Sequence, residues 1–172
     1  LENRNFKEAD FVFTLMAKER GANAAVALWH SRVFKRQKKY AAAVAILEPA
    51  VKQLRGDALM DKLLFDLAEN YLGGQQVDES ATLFEQLLKE HPKHSQRELI
   101  LRHSAQARFR TGRYAACLAL CADYLSDYPK HPEAAAVVFL RGESQFFLEK
   151  YGDAVSTFEQ FLKANPAHAQ AL

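Results

Sequence analysis

The sequence predicts an all-α fold: a solenoid of antiparallel helix pairs stacked one on the next. Three observations carry this expectation. One succession of aromatic, small, apolar and terminating residues runs through 39–55, 76–92, 113–129 and 150–166, each copy 37 residues after the last. Apolar residues recur within the copies and between them at spacings of three and four, the period of a helix face. No stretch carries the apolar-polar alternation of a half-buried strand.

In chain order, 5–19 holds Phe6, Ala9, Val12, Phe13 and Met16 at helical spacing and stops at Gly21. Residues 22–36 then read as a second helix and 40–54 as a third, separated by a short polar break. Further helices are expected at 57–72, 76–90, 95–111, 114–128, 132–148 and 151–164.

The four copies share a register that explains how these helices pair. Ala43, Ser80, Cys117 and Ala154 occupy one position, and Ser31, Ala68, Ala105 and Gly142 occupy another twelve residues earlier. All eight are small. Two helices approach closely only where neither presents bulk, so one small residue on each partner marks the crossing point. Around it, Leu47, Phe84, Cys121 and Phe158 are expected to fill the core. Val44, Ala81, Leu118 and Val155 should join them, as should Tyr40, Val77, Tyr114 and Tyr151 one turn earlier. Val51, Leu88, Leu125 and Leu162 add a last apolar position near the end of each second helix. Pro92, Pro129 and Pro166 then end it, because proline cannot extend a helix.

These residues resemble the tetratricopeptide-repeat family. Its signature places a small residue at the eighth position, alanine at the twentieth, an aromatic at the twenty-fourth and proline at the thirty-second of a 34-residue unit. Gly142, Ala154, Phe158 and Pro166 match in order, as do Ala68, Ser80, Phe84 and Pro92. Leu67 keeps the family's seventh-position leucine, Tyr71 its eleventh-position tyrosine, and Phe34 is a close substitute for the latter. The surplus of the longer period falls in HPKHSQ and PKHPEA, so the later first helices are expected to start slightly early after an extended turn. With Tyr128-Pro129 before a new unit, the variant is similar to arrays in bacterial envelope assembly and coordinator proteins.

The resemblance implies a right-handed superhelical solenoid of about four repeats plus a leading half-repeat. Its expected units are 1–21 (the second helix of a preceding repeat), 22–56, 57–93, 94–130 and 131–166, with 167–172 starting a following helix. The expectation is a segment excised from a longer array.

Composition narrows the function classes. Of the 172 residues 49% are hydrophobic and 26% charged, a globular balance that excludes disorder. A net charge of +2 gives no basic track for nucleic acid, and no run reaches the roughly 20 apolar residues that span a bilayer. No nucleic acid and no membrane insertion of this segment are expected. Cys117 and Cys121, four apart on one helix, read as reduced core residues. His91, Pro92, Lys93 and His94 lack a carboxylate or cysteine at metal-ligand spacing, and no nucleophile triad, phosphate loop or glycine fingerprint occurs. No enzyme, metal or cofactor is expected.

The candidate binding surface is the concave face that stacked first helices present. The family's groove positions map here to Arg32, Arg36, Lys62, Phe65 and Glu69, with Leu28 and Lys35 beside them. Later copies contribute Arg102, Gln106, Phe109, Arg110, Phe139, Glu143 and Phe146, flanked by Leu99 and Phe147. Aromatic and arginine side chains concentrate binding energy, which suits a peptide or helix of a partner protein. Each phenylalanine could equally close the core of the next helix pair, and Arg32, Lys35 and Arg36 could form a solvated helix end. The Asn residues with which some family members clamp a carboxylate tail are replaced by Arg32, Glu69, Gln106 and Glu143. The alternative function is a self-associating structural array that forms homo-oligomers.

Overall fold

The computed structural model describes residues 2–21 and 23–165, and among these it contains nine α-helices and no strand. They are α1 (Glu2–Arg20), α2 (Ala24–Arg36), α3 (Tyr40–Gln53), α4 (Met60–Gly73), α5 (Val77–Glu90), α6 (Arg97–Arg110), α7 (Tyr114–Asp127), α8 (Ala134–Phe147) and α9 (Tyr151–Ala164). The chain divides into two compact units, Leu1–His94 and Ser95–Leu172. In the first, α2 pairs with α3 and α4 with α5, α1 lies on α2, and α3 packs on α4. In the second, α6 pairs with α7, α8 with α9, and α7 packs on α8. The expected helix at 167–172 lies outside the described residues, as does Pro166.

The small positions meet where each pair crosses. Ser31, Ala68, Ala105, Ala43, Ser80 and Cys117 are fully buried. Ser80 Oγ donates to the Ala68 carbonyl at 2.8 Å, so these two backbones touch at the crossing. In α8, a Cβ on Gly142 would stand 2.6 Å from the Phe158 ring. Leu47, Phe84 and Cys121 fill the surrounding core at 0% exposure.

Several expected core positions turn out differently. Val155 and Leu162 are exposed, as are Val12 of α1 and Tyr151. The last buried position of the second helices is the residue before Val51, Leu88, Leu125 and Leu162, although Val51 still packs, half-buried, against the core. Ala50, Leu87, Tyr124 and Phe161 are buried there, because the turn after Leu47, Phe84 and Cys121 closes inward at i+3. First helices begin late rather than early, at Met60, Arg97 and Ala134. The turns before two of them are closed by their own hydrogen bonds: Met60 N donates to Asp57 O at 3.0 Å and Ala134 N to His131 O at 2.9 Å. Helix α3 also runs straight through Pro49, which lies on its exposed side.

The turn inside each pair is one motif used four times. Lys38, Gln75, Gly112 and Glu149 have φ values of 57°, 67°, 71° and 60°. The next residue's N–H reaches back to the carbonyls of Phe34, Tyr71, Arg108 and Gln145, closing a Schellman turn each time. Only Gly112 adopts this left-handed backbone without a Cβ penalty. Gln75→Gly is therefore expected to raise stability by about 0.5–1 kcal/mol, and Gly112→Ala to lower it by about as much. Thermal melts check the pair, and a Gln75→Gly variant that melts lower than the parent would contradict the strain argument.

Candidate functional site: the first-helix faces

In the first unit, first helices α2 and α4 lie side by side and are tied by two ion pairs. Arg32 Nε donates to Asp66 Oδ2 at 2.6 Å, and Lys35 pairs with Glu69 one turn further on. Asp66 is 4% exposed, and the Arg32 guanidinium supplies its buried carboxylate with a charged hydrogen-bond partner. Arg36 and Lys62 are exposed on this unit. Phe65 is held between the Phe84 ring, 6.1 Å away, and the His94 ring, stacked at 5.5 Å. Burial keeps the His94 imidazole below its usual range although Asp61 stands 3.8 Å away.

Trp29, one turn before Arg32, is 58% exposed, and the Arg32 guanidinium sits 5.3 Å above its ring. It stands at the mouth of a cleft of about 580 Å³ between α1 and α2, floored by Phe6, Ala9, Phe13 and Val33. Beside the cleft, His30 Nε2 lies 2.6 Å from Asp10, which fixes α1 on α2.

In the second unit, first helices α6 and α8 also touch. Arg102 is held by Glu98 within its own helix at 3.2 Å, while Gln106 and Arg110 are exposed. Phe109 meets Phe147 at 5.7 Å and Tyr114 at 5.5 Å, and Tyr114 stacks on Phe147 at 4.7 Å. Phe146 continues this aromatic surface toward Tyr151, 5.5 Å away. Phe139 instead points into the helix pair, 5.4 Å from Phe158 and 5.5 Å from Phe161. Burial raises the Glu143 carboxyl above its usual range.

A polar knot holds the lower end of α6 to α7. Tyr124 Oη donates to Glu98 Oε1 at 2.8 Å and lies 2.9 Å from His131 Nδ1. Burial alone would raise the Glu98 carboxyl, but the hydrogen bonds from Tyr124 and Arg102 outweigh it and hold it below the usual range. A carboxyl lowered on folding contributes stability above its unfolded value and loses it as pH falls through its folded value. Tyr124→Phe should thus cost about 1–2 kcal/mol near neutral pH and less near pH 3, where the unfolded carboxyl is also protonated. Urea melts at both pH values test this; an equal loss at both would remove Glu98 from the account.

The sequence positions bring Arg32 and Glu69 to one face, and Gln106, Phe109, Arg110 and Phe146 to another within the second unit. Phe65 and Phe139 are drawn into helix packing. Two residues escaped the sequence reading. Trp29 shares a helical stripe with Arg32 and Arg36 through spacings of three and four, a signal that was available. Asp66 had none, because its meaning lies in a helix 34 residues away.

The repeat architecture agrees with that of known proteins. A family model described as an outer membrane lipoprotein, YfiO, matches residues 57–150, more than half of the chain. The chain belongs to this family. A tetratricopeptide-repeat model also matches residues 139–172. No curated protein matches the chain. Among solved structures, a kinesin light chain of nearly identical TPR-like repeats from Podosopora anserina is 20% identical, with a TM-score of 0.74 over 98% of this chain and 90% of that one. A MamA structure is 11% identical, with a TM-score of 0.77 over 98% of this chain and 87% of that one. MamA from Desulfovibrio magneticus RS-1 is 14% identical, with a TM-score of 0.71 over 86% of this chain and 78% of that one.

The fold is a tetratricopeptide-like helical solenoid. No helix among the described residues is long and apolar enough to cross a membrane. Among the same residues no cluster of His, Cys, Asp and Glu could hold a metal ion. Cys117 and Cys121 are free and buried, their sulfurs 3.9 Å apart, and their mutual contact raises the Cys121 thiol above its usual range.

Proposed function

We propose that the chain is a non-enzymatic scaffold that holds a peptide or helix of a partner protein against its first-helix faces. The observation that carries this reading is the aromatic surface of the second unit. Phe146 and Phe147 are 53% and 51% exposed, an arrangement that costs hydration unless a partner covers it. Arg110 and Gln106 supply polar contacts beside it, and Arg102, Phe109, Phe139 and Glu143 shape the face from beneath. In the first unit, Arg32, Arg36, Lys62 and Glu69 form the corresponding surface, with Phe65 packed beneath it against Phe84 and His94. A family of envelope lipoproteins built from the same repeats is consistent with work inside a larger assembly.

A second reading, self-association, is favoured by α1, where Phe11, Val12 and Leu15 are 69%, 49% and 43% exposed on one stripe. Both are read in one experiment. Arg110→Ala with Phe146→Ala is expected to lose the protein that the parent captures from lysate, with helical circular dichroism unchanged. Capture that survives both substitutions would sink the first reading. Light scattering that rises with concentration, and stops doing so in a Phe11→Ser, Leu15→Ser chain, would establish the second in its place.

A further inference from the structure

The cleft between α1 and α2 is set apart by its charge as well as its shape. Two of the cations near it are neutralised inside the unit: Arg32 by Asp66 and Lys35 by Glu69. Asp10 of α1 is turned to His30. Arg36 lines the cleft and is exposed. Lys38 and Lys39 do not line it, but both are exposed in the turn that follows α2. The rim is therefore cationic around an apolar floor of Phe6, Phe13 and Val33. The volume of about 580 Å³ falls within the range of sites that bury a few side chains.

A cation that meets no acid among the described residues, set beside an apolar recess, selects an anion attached to an apolar group, because each supplies what the other lacks. A bare anion would leave the recess in water. A plain hydrocarbon would leave Arg36 without a counter-charge. Trp29 at the mouth, with Arg32 across its ring, adds the two residue types that most often dominate binding.

We propose that this cleft captures an acidic segment of a partner protein through one bulky apolar anchor. The anchor side chain enters between Phe6, Phe13 and Val33, and flanking carboxylates meet Arg36 at the rim and Lys38 and Lys39 in the turn beyond it. The proposal rests on the scaffold reading and specifies the chemistry of what is bound.

Trp29 is the chain's single tryptophan, so the cleft carries its own reporter. Titrating the blocked peptide DDLFDD should shift Trp29 emission to the blue in a saturable way, and the blocked peptide KKLFKK should not. Arg36→Glu should weaken the acidic peptide by about tenfold or more, as expected for losing a charged contact and creating a repulsive one. Ala9→Phe, which fills the recess without emptying the core, should abolish the shift while circular dichroism stays that of the parent.

Equal response to the two peptides, or an acidic-peptide affinity untouched by Arg36→Glu, overturns the proposal. An emission shift that follows protein concentration alone, together with a dimer in sedimentation, overturns it in favour of a second copy as the occupant. The outcomes separate from those of the scaffold test. If DDLFDD leaves Trp29 unchanged while capture still depends on Arg110 and Phe146, only the cleft proposal falls. If capture ignores those two residues, the scaffold reading built on the second-unit surface falls, and a Trp29 response lost in Arg36→Glu then stands as peptide binding by the cleft alone.

Discussion

Phe84→Ala is expected to destabilise the first unit by about 3–5 kcal/mol, the usual cost of emptying a buried aromatic site. Phe84 is 0% exposed and occupies the core between α4 and α5 with Leu87 and Ala81, while Phe65 packs on its edge. None of these neighbours can collapse into the void, because Ala68 and Ser80 hold the two backbones together at the crossing. Phe158, its counterpart 37 residues twice removed, is only half-buried, so Phe158→Ala should cost less than half as much. Urea unfolding followed by Trp29 emission reports the first unit alone, so the Phe158→Ala cost is read from far-UV circular dichroism, which follows helix loss in both units. Equal costs at the two positions would show that repeat register, rather than burial, governs the energetics.

Ala68→Leu is expected to cost about 2–3 kcal/mol, through overpacking instead of a void. The Ala68 side chain is fully buried, and its carbonyl accepts from Ser80 at 2.8 Å. A leucine there must push α4 and α5 apart, which breaks this bond and loosens the packing of Phe84 and Leu87 in one step. Because repeat units contribute through their own stability and their neighbours' contacts, the loss should appear first as faster amide exchange in α4 and α5. A Ser80→Gly partner substitution, which makes room, should recover part of it. A leucine variant as stable as the parent would mean that the crossing is not set by these two residues.

Much of this could be read before any coordinates. Phe84 and Ala68 were legible because one unit's pattern recurs in three others, and only core packing demands the same size at the same register. The choice between Leu87 and Leu88 was not legible. Both are leucine on the same side of α5, and the direction in which the last turn closes is decided by α4 and not by α5 itself. Val155 was misread for a related reason: its repeat position is covered in α3, where α4 packs on Val44, but no described helix lies over α9.

The candidate site divides along the same line. Helical spacing alone places Arg32, Arg36 and Trp29 on one stripe of α2, and the 37-residue period alone makes the chain a stack of helix pairs. Tertiary structure decided which of those charges are spent. Asp66 and Glu69 neutralise Arg32 and Lys35 from another helix, leaving Arg36 beside a cleft that α1 completes. Periodicity belongs to a single helix and survives in the sequence, whereas the pairing of charges depends on distances between helices, which only their packing sets.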